Sequence, residues 1–145
     1  MSNNLATQKR IARGLLIARV VTGIVFIAHG AQKVFVFGYP GTRGAFTHMG
    51  VPIPPLTAAV VMVVELLGGL ALALGLFTRI AAALLAIDMI SAIAIVHIRN
   101  GFFAPTGIEF PLTLLAILLA LALAGPGAYA LDDKRERRRH PGPRL

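Results

Sequence analysis

The chain contains no cysteine. That absence excludes thiol–disulfide chemistry, thiolate metal sites, cysteine-ligated iron–sulfur clusters and haem attached covalently through Cys-x-x-Cys-His. Charge is also scarce. Only 14% of the 145 residues are charged while 57% are hydrophobic, against about 25% and about 45–50% in soluble domains. A soluble fold of this size keeps most residues close to water and has no place for so much apolar surface. The strict apolar–polar alternation of a membrane β-barrel is missing as well. What remains is a helical protein that uses the bilayer as its solvent, organised as one domain.

The charges that are present are unevenly placed. Lysine and arginine outnumber the acids by 14 to 6, a net charge of +8. Lys9, Arg10 and Arg13 precede the first apolar run, and Lys134, Arg135, Arg137, Arg138, Arg139 and Arg144 follow the last. Cations that flank apolar runs read as topology signals and as contacts to anionic lipid head groups, so no nucleic-acid partner is expected.

Four apolar runs stand out, at about 15–37, 56–76, 80–98 and 108–124. A spanning helix needs about 20 residues, with a range of about 17–25, so the fourth is at the short end. Glycine and proline punctuate them at Gly38-Tyr-Pro-Gly41, Val51-Pro-Ile-Pro-Pro55, Asn100-Gly101 and Gly125-Pro-Gly127. The 38–55 segment reads as the longest loop and the most functional surface. The fold expected is an all-α, integral membrane four-helix bundle. Residues 1–13 form an N-terminal cytoplasmic segment, 14–131 the transmembrane domain and 132–145 a basic cytoplasmic tail. The positive-inside rule places both termini in the cytoplasm, because that orientation leaves only Arg43, Arg99 and Lys33 toward the outer side. The first run reads as a retained helix, since Arg19 interrupts the apolar core that a cleavable signal would need.

Several motifs occur in order along these runs. His29-Gly-Ala-Gln-Lys33 closes the first, and Glu65-Leu-Leu-Gly-Gly69 leads to Leu74-Gly-Leu-Phe-Thr-Arg79 in the second. His97-Ile-Arg-Asn-Gly-Phe-Phe103 ends the third; Gly107-Ile-Glu109, Gly125-Pro-Gly127 and Leu131-Asp132 bracket the fourth. In that order and spacing the sequence resembles the DoxX family of small four-helix bacterial membrane proteins, over about residues 13–132. The resemblance implies a place in the bacterial cytoplasmic membrane and an association with membrane redox assemblies, such as thiosulfate:quinone oxidoreductase and quinol oxidase systems. It implies no role for Asp88, which has no counterpart in the family's pattern.

Ionisable groups inside a span cost roughly 2.5–3.5 kcal/mol on insertion scales and so face protein or water. At 100° per residue, Lys33 lies about 40° and His29 about 80° from Arg19, one stripe that also holds Gly23 and Gly30. Gly68 and Gly69 lie within about 60° of Glu65, the pattern of a close helix contact around a paired carboxylate. Arg19, His29 and Lys33 are the cations within reach of Glu65. Asp88 and His97 are nine residues apart and point to opposite faces of a regular helix. With His97 turned inward, Asp88 is expected to face a neighbouring chain, a partner or a second copy of this one.

His29, Lys33, His97, Asn100 and Glu109 all fall toward the outer end of their helices, and together they form the candidate site. A histidine and a carboxylate there can hydrogen-bond and exchange protons with quinone carbonyls, while Lys33 favours an anionic form. A purely structural network that satisfies polar groups and fixes helix register competes with that reading, for Arg19 and Glu65 above all. Haem held by His29 and His97 is disfavoured, because no supporting hydrogen-bond pattern is legible around them. No metal site is expected. The function expected is an accessory or quinone-interacting subunit of a membrane redox assembly, catalytic only together with oxidoreductase partners. A non-enzymatic scaffold for assembling partner proteins is the alternative. Small-solute transport by a homo-oligomer is a weaker one.

Overall fold

The computed structural model describes residues 2–132. Of the basic tail expected at 132–145, only Asp132 lies within the described residues, and the cluster from Lys134 to Arg139 lies outside them. Helix α1 (Ser2–Ala31) passes into a π-helical stretch, Gln32–Phe37, and then into α2 (Gly38–His48). After a short connection come α3 (Pro54–Leu74) and α4 (Thr78–Ala92). A second π-helical stretch, Ile93–His97, and a 3-10 turn, Ile98–Asn100, extend α4. Helix α5 (Glu109–Ala124) completes the bundle. The described residues contain no strand. The stretch from α1 to α2, helix α3, and α4 with its extension are each long and apolar enough to cross a membrane. Helix α5, at 16 residues, covers roughly 24 Å. The chain is an all-α membrane bundle.

The 38–55 segment is not a loop. Gly38 has φ 64°, which turns the chain there, and Pro40 stands in the first turn of α2, where its missing N–H leaves no helical hydrogen bond unmade. A Gly-x-Pro sequence can therefore open a helix as well as end one. Only residues 49–53 remain as connection, and Tyr39 ties α2 to the start of α3 by donating its hydroxyl to the Pro55 carbonyl at 3.0 Å.

Helix α3 begins with Pro54 and Pro55 in its first turn, where proline is favoured. It ends at Gly75, φ 68°. There the Gly75 N–H reaches the Leu72 carbonyl at 3.1 Å and the Leu76 N–H reaches Ala71 at 2.9 Å, a Schellman termination that satisfies two orphan carbonyls. Arg19, 1% exposed, adds to this end from α1. Its guanidinium donates to the Leu72 carbonyl at 3.4 Å and to Ala128 at 3.3 Å. A cation suits the partial negative charge of a helix C-terminus. A side chain at residue 75 would run into the guanidinium, so glycine is required there on two counts.

The same end is closed by two further contacts. The Ala128 N–H meets the Ala12 carbonyl at 2.9 Å. Asp132 accepts from the N–H groups of Phe77 and Thr78 at 2.8 and 2.9 Å, capping the N-terminus of α4 from 54 residues away. Between the ends, Phe26, Leu72, Leu85, Met89, Leu114, Leu118 and Leu121 form the core. Outward, Ile17, Val21, Ile24, Val63, Leu67, Leu70, Ile80, Leu84 and Ile87 are exposed, an apolar belt for lipid.

Candidate functional site

Helices α1 and α3 form the most extensive contact of the bundle, and small residues are the reason. A Cβ added to Gly23 would lie 2.7 Å from the Ala73 nitrogen, one on Gly69 2.7 Å from the Ile27 nitrogen, and one on Gly30 2.5 Å from the Leu66 nitrogen. Backbones this close permit no side chain between them. Lys33 follows Gly30 by less than a turn and Glu65 precedes Leu66, so the crossing brings their side chains together. The Lys33 Nζ donates to Glu65 Oε2 at 2.6 Å, a short charge-assisted bond with Glu65 buried and Lys33 mostly so. Among the three cations considered for Glu65, Lys33 is the partner. Arg19 points to the other end.

Beyond this pair lies a cavity of about 380 Å³, within the range of roughly 300–1,000 Å³ that small-molecule sites occupy. Its apolar walls include Phe26, Met89, Phe110 and Leu114, and its polar groups are His29, Lys33, Glu65, Asp88, Ser91 and His97. Phe46 of α2, with Met49 and Val51 just after it, covers one side. The segment read from sequence as a surface loop is thus a helix laid against the site.

Asp88, expected to face a neighbouring chain, instead lines this cavity along with His97. The physical reason is the π-helical turn at Ile93–His97. Hydrogen bonds spaced i to i+5 insert extra chain per turn, so the nine-residue separation no longer puts the two side chains on opposite faces. Asp88 Oδ2 is buried with no donor facing it. Lys33, Glu65 and Asp88 form a polar trio on the cavity wall, with Lys33 and Glu65 paired.

Both histidines are oriented by backbone carbonyls. His97 Nδ1 meets the Thr106 carbonyl at 2.7 Å, and His29 Nδ1 meets the Val25 carbonyl at 2.9 Å. The His29 ring also stacks on Phe110, with centroids 6.3 Å apart, where α1 and α5 otherwise touch little.

The five groups expected to converge divide in two. His29, Lys33 and His97 line the cavity; Asn100 and Glu109 do not. Asn100 donates to the Val96 carbonyl at 3.1 Å, and Glu109 accepts from the Ala104 N–H at 2.8 Å. These two hold the 101–108 connection, whose Thr106 in turn positions His97. Depth along a helix is legible from sequence, but which polar group folds back onto its own loop is not. Among the described residues no three His, Asp or Glu side chains are grouped to hold a metal ion.

The arrangement has relatives. The DoxX family model matches residues 14–98. The chain belongs to the DoxX family. It is 37% identical over 120 residues to a Bacillus subtilis protein named "Putative oxidoreductase CatD", covering 82% of this chain and 84% of that one. It is 35% identical over 133 residues to an uncharacterized membrane protein of Mycobacterium tuberculosis, covering 83% and 80%. The inner membrane protein YphA of Escherichia coli is 32% identical over 126 residues, covering 83% and 89%. No solved structure matches. The DoxX match contains Lys33, Glu65, Asp88 and both histidines of the cavity.

Proposed function

We propose that this DoxX protein is a quinone-binding accessory subunit of a redox assembly in the bacterial inner membrane, with both termini in the cytoplasm. The observation that carries the reading is the cavity itself: apolar walls in the half of the bundle away from Arg19 and Gly75, with His29, His97 and the Lys33–Glu65–Asp88 trio. A quinone-type ring wants flat apolar contact and hydrogen bonds at two oxygens, and this set of groups supplies both. When bound, such a group supplies two-electron, two-proton redox chemistry. The chain's own residues would hold and orient it: the histidines and Lys33 at its oxygens, Phe110 and Phe26 against its ring. An oxidoreductase name on one relative and an inner-membrane name on another agree with the reading.

A scaffold would use Asp88 and the 38–55 segment to meet other chains. Asp88 lies in the cavity and α2 lies against it, which favours the ligand reading. Purified protein in lipid nanodiscs should bind a short-chain benzoquinone or its hydroquinone at micromolar levels, and His97→Ala should weaken binding of the hydroquinone about tenfold. Equal binding by the variant would remove His97 from the site; no binding by either protein would sink the proposal.

A further inference from the structure

Quinone-type ligands exist as diones, whose oxygens only accept hydrogen bonds, and as hydroquinones, whose hydroxyls also donate. The cavity distinguishes them through its two histidines. A carbonyl oxygen cannot donate, so the contact of His97 Nδ1 with the Thr106 carbonyl places the ring proton on Nδ1. The same holds for His29 Nδ1 against the Val25 carbonyl. In the neutral imidazole each Nε2 is then a bare lone pair, an acceptor without a donor. Neither nitrogen meets another side chain or carbonyl among the described residues. Glu65 does not make up the deficit, because its carboxylate accepts from Lys33. Among the described residues that line the cavity, Lys33 is the strong donor, and one of its three N–H bonds is already given to Glu65.

We propose that the cavity selects the reduced, hydroxyl-bearing form of an aromatic ligand, with His29 and His97 accepting hydrogen bonds from its hydroxyls through Nε2. A dione oxygen set against either Nε2 would bring two lone pairs together and leave that acceptor unsatisfied once the ligand has shut water out, the costly outcome beside apolar walls. A hydroquinone oxygen can donate to a histidine and accept from Lys33 at once. This inference rests on the quinone-binding reading and specifies which redox form the site holds.

The test uses the full chain in nanodiscs under argon. A short-chain 1,4-benzoquinone and the matching hydroquinone are titrated separately, and bound ligand is read after equilibrium dialysis. The hydroquinone should bind at least tenfold tighter than the dione. His97→Phe and His29→Phe, which keep a ring but remove the acceptor, should each reduce that ratio several-fold, mainly by weakening the hydroquinone. If the dione binds as tightly as the hydroquinone, or tighter, the inference is overturned while the quinone-binding reading stands. If neither ligand binds, both are overturned. The wild-type ratio needs no variant, so a misfolded substitution cannot rescue the inference.

Discussion

Removing either half of the Lys33–Glu65 pair leaves a charge in an apolar interior without its counter-ion. Breaking a buried pair in this way costs on the order of 3–5 kcal/mol, whereas replacing both partners by apolar groups is far milder. Lys33→Met should therefore destabilise the folded protein more than Lys33→Met combined with Glu65→Met, a difference that a double-mutant cycle from denaturant unfolding in micelles would read directly. If the two variants were equally unstable, the pair would not be the cause. A smaller effect belongs to Asp132, whose carboxylate satisfies the Phe77 and Thr78 N–H groups. Asp132→Ala should cost about 1 kcal/mol, the usual worth of a helix cap, seen as a lowered melting temperature with quinone binding unchanged.

At the scale of elements, two backbone features set the site. The first is the close crossing of α1 and α3 at Gly23, Gly30 and Gly69. Gly69→Val would have to push the helices apart, at a cost of roughly 1–3 kcal/mol or more. The separation should loosen the Lys33–Glu65 bond and weaken ligand binding together. The second is the π-helical turn at Ile93–His97. Deleting Ala94 should restore an ordinary helix, turn His97 by about 100° and abolish quinone binding, while circular dichroism shows the helix content kept. Retained binding would show that the turn does not set the site.

These elements also mark where sequence reading succeeds and where it stops. The small-residue stripe beside Glu65 and the stripe of Gly23, Gly30 and Lys33 follow from 100° periodicity, and the structure joins those two faces. Periodicity alone sets Asp88 opposite His97 because it assumes a regular helix, and nothing in Ile93-Ala-Ile-Val-His97 announces a π-helical turn. Helix α2 was hidden by Gly38 and Pro40, whose punctuation serves a stop and a restart equally well. The cap by Asp132 and the anchoring of Arg19 on the α3 terminus join residues more than fifty positions apart. No local pattern contains such a pairing.

As a whole molecule the bundle is polarised. One end is closed by Arg19, Gly75, Asp132 and the Ala12–Ala128 contact. The other half holds the cavity, covered by α2 and by the connection that Asn100 and Glu109 organise. A bundle built this way has one end closed by polar contacts and one half holding a cavity, with an exposed apolar belt between them for the bilayer. The absence of cysteine is useful experimentally, because single cysteines placed at Arg43 and at Thr7 report the orientation of the bundle by their labelling. In the proposed orientation residue 43 should react with an impermeant maleimide from outside intact cells and residue 7 only after lysis. The reverse pattern would invert the orientation.

The central claim is that the cavity holds a quinone-type molecule, and what travels with the purified protein tests it most directly. Protein extracted from bacterial membranes and washed in detergent should yield, by mass spectrometry of its lipid extract, close to one membrane quinone or quinol per chain. His97→Ala protein prepared in parallel should yield much less. A wild-type extract containing no more quinone than that of an unrelated four-helix membrane protein would contradict the account.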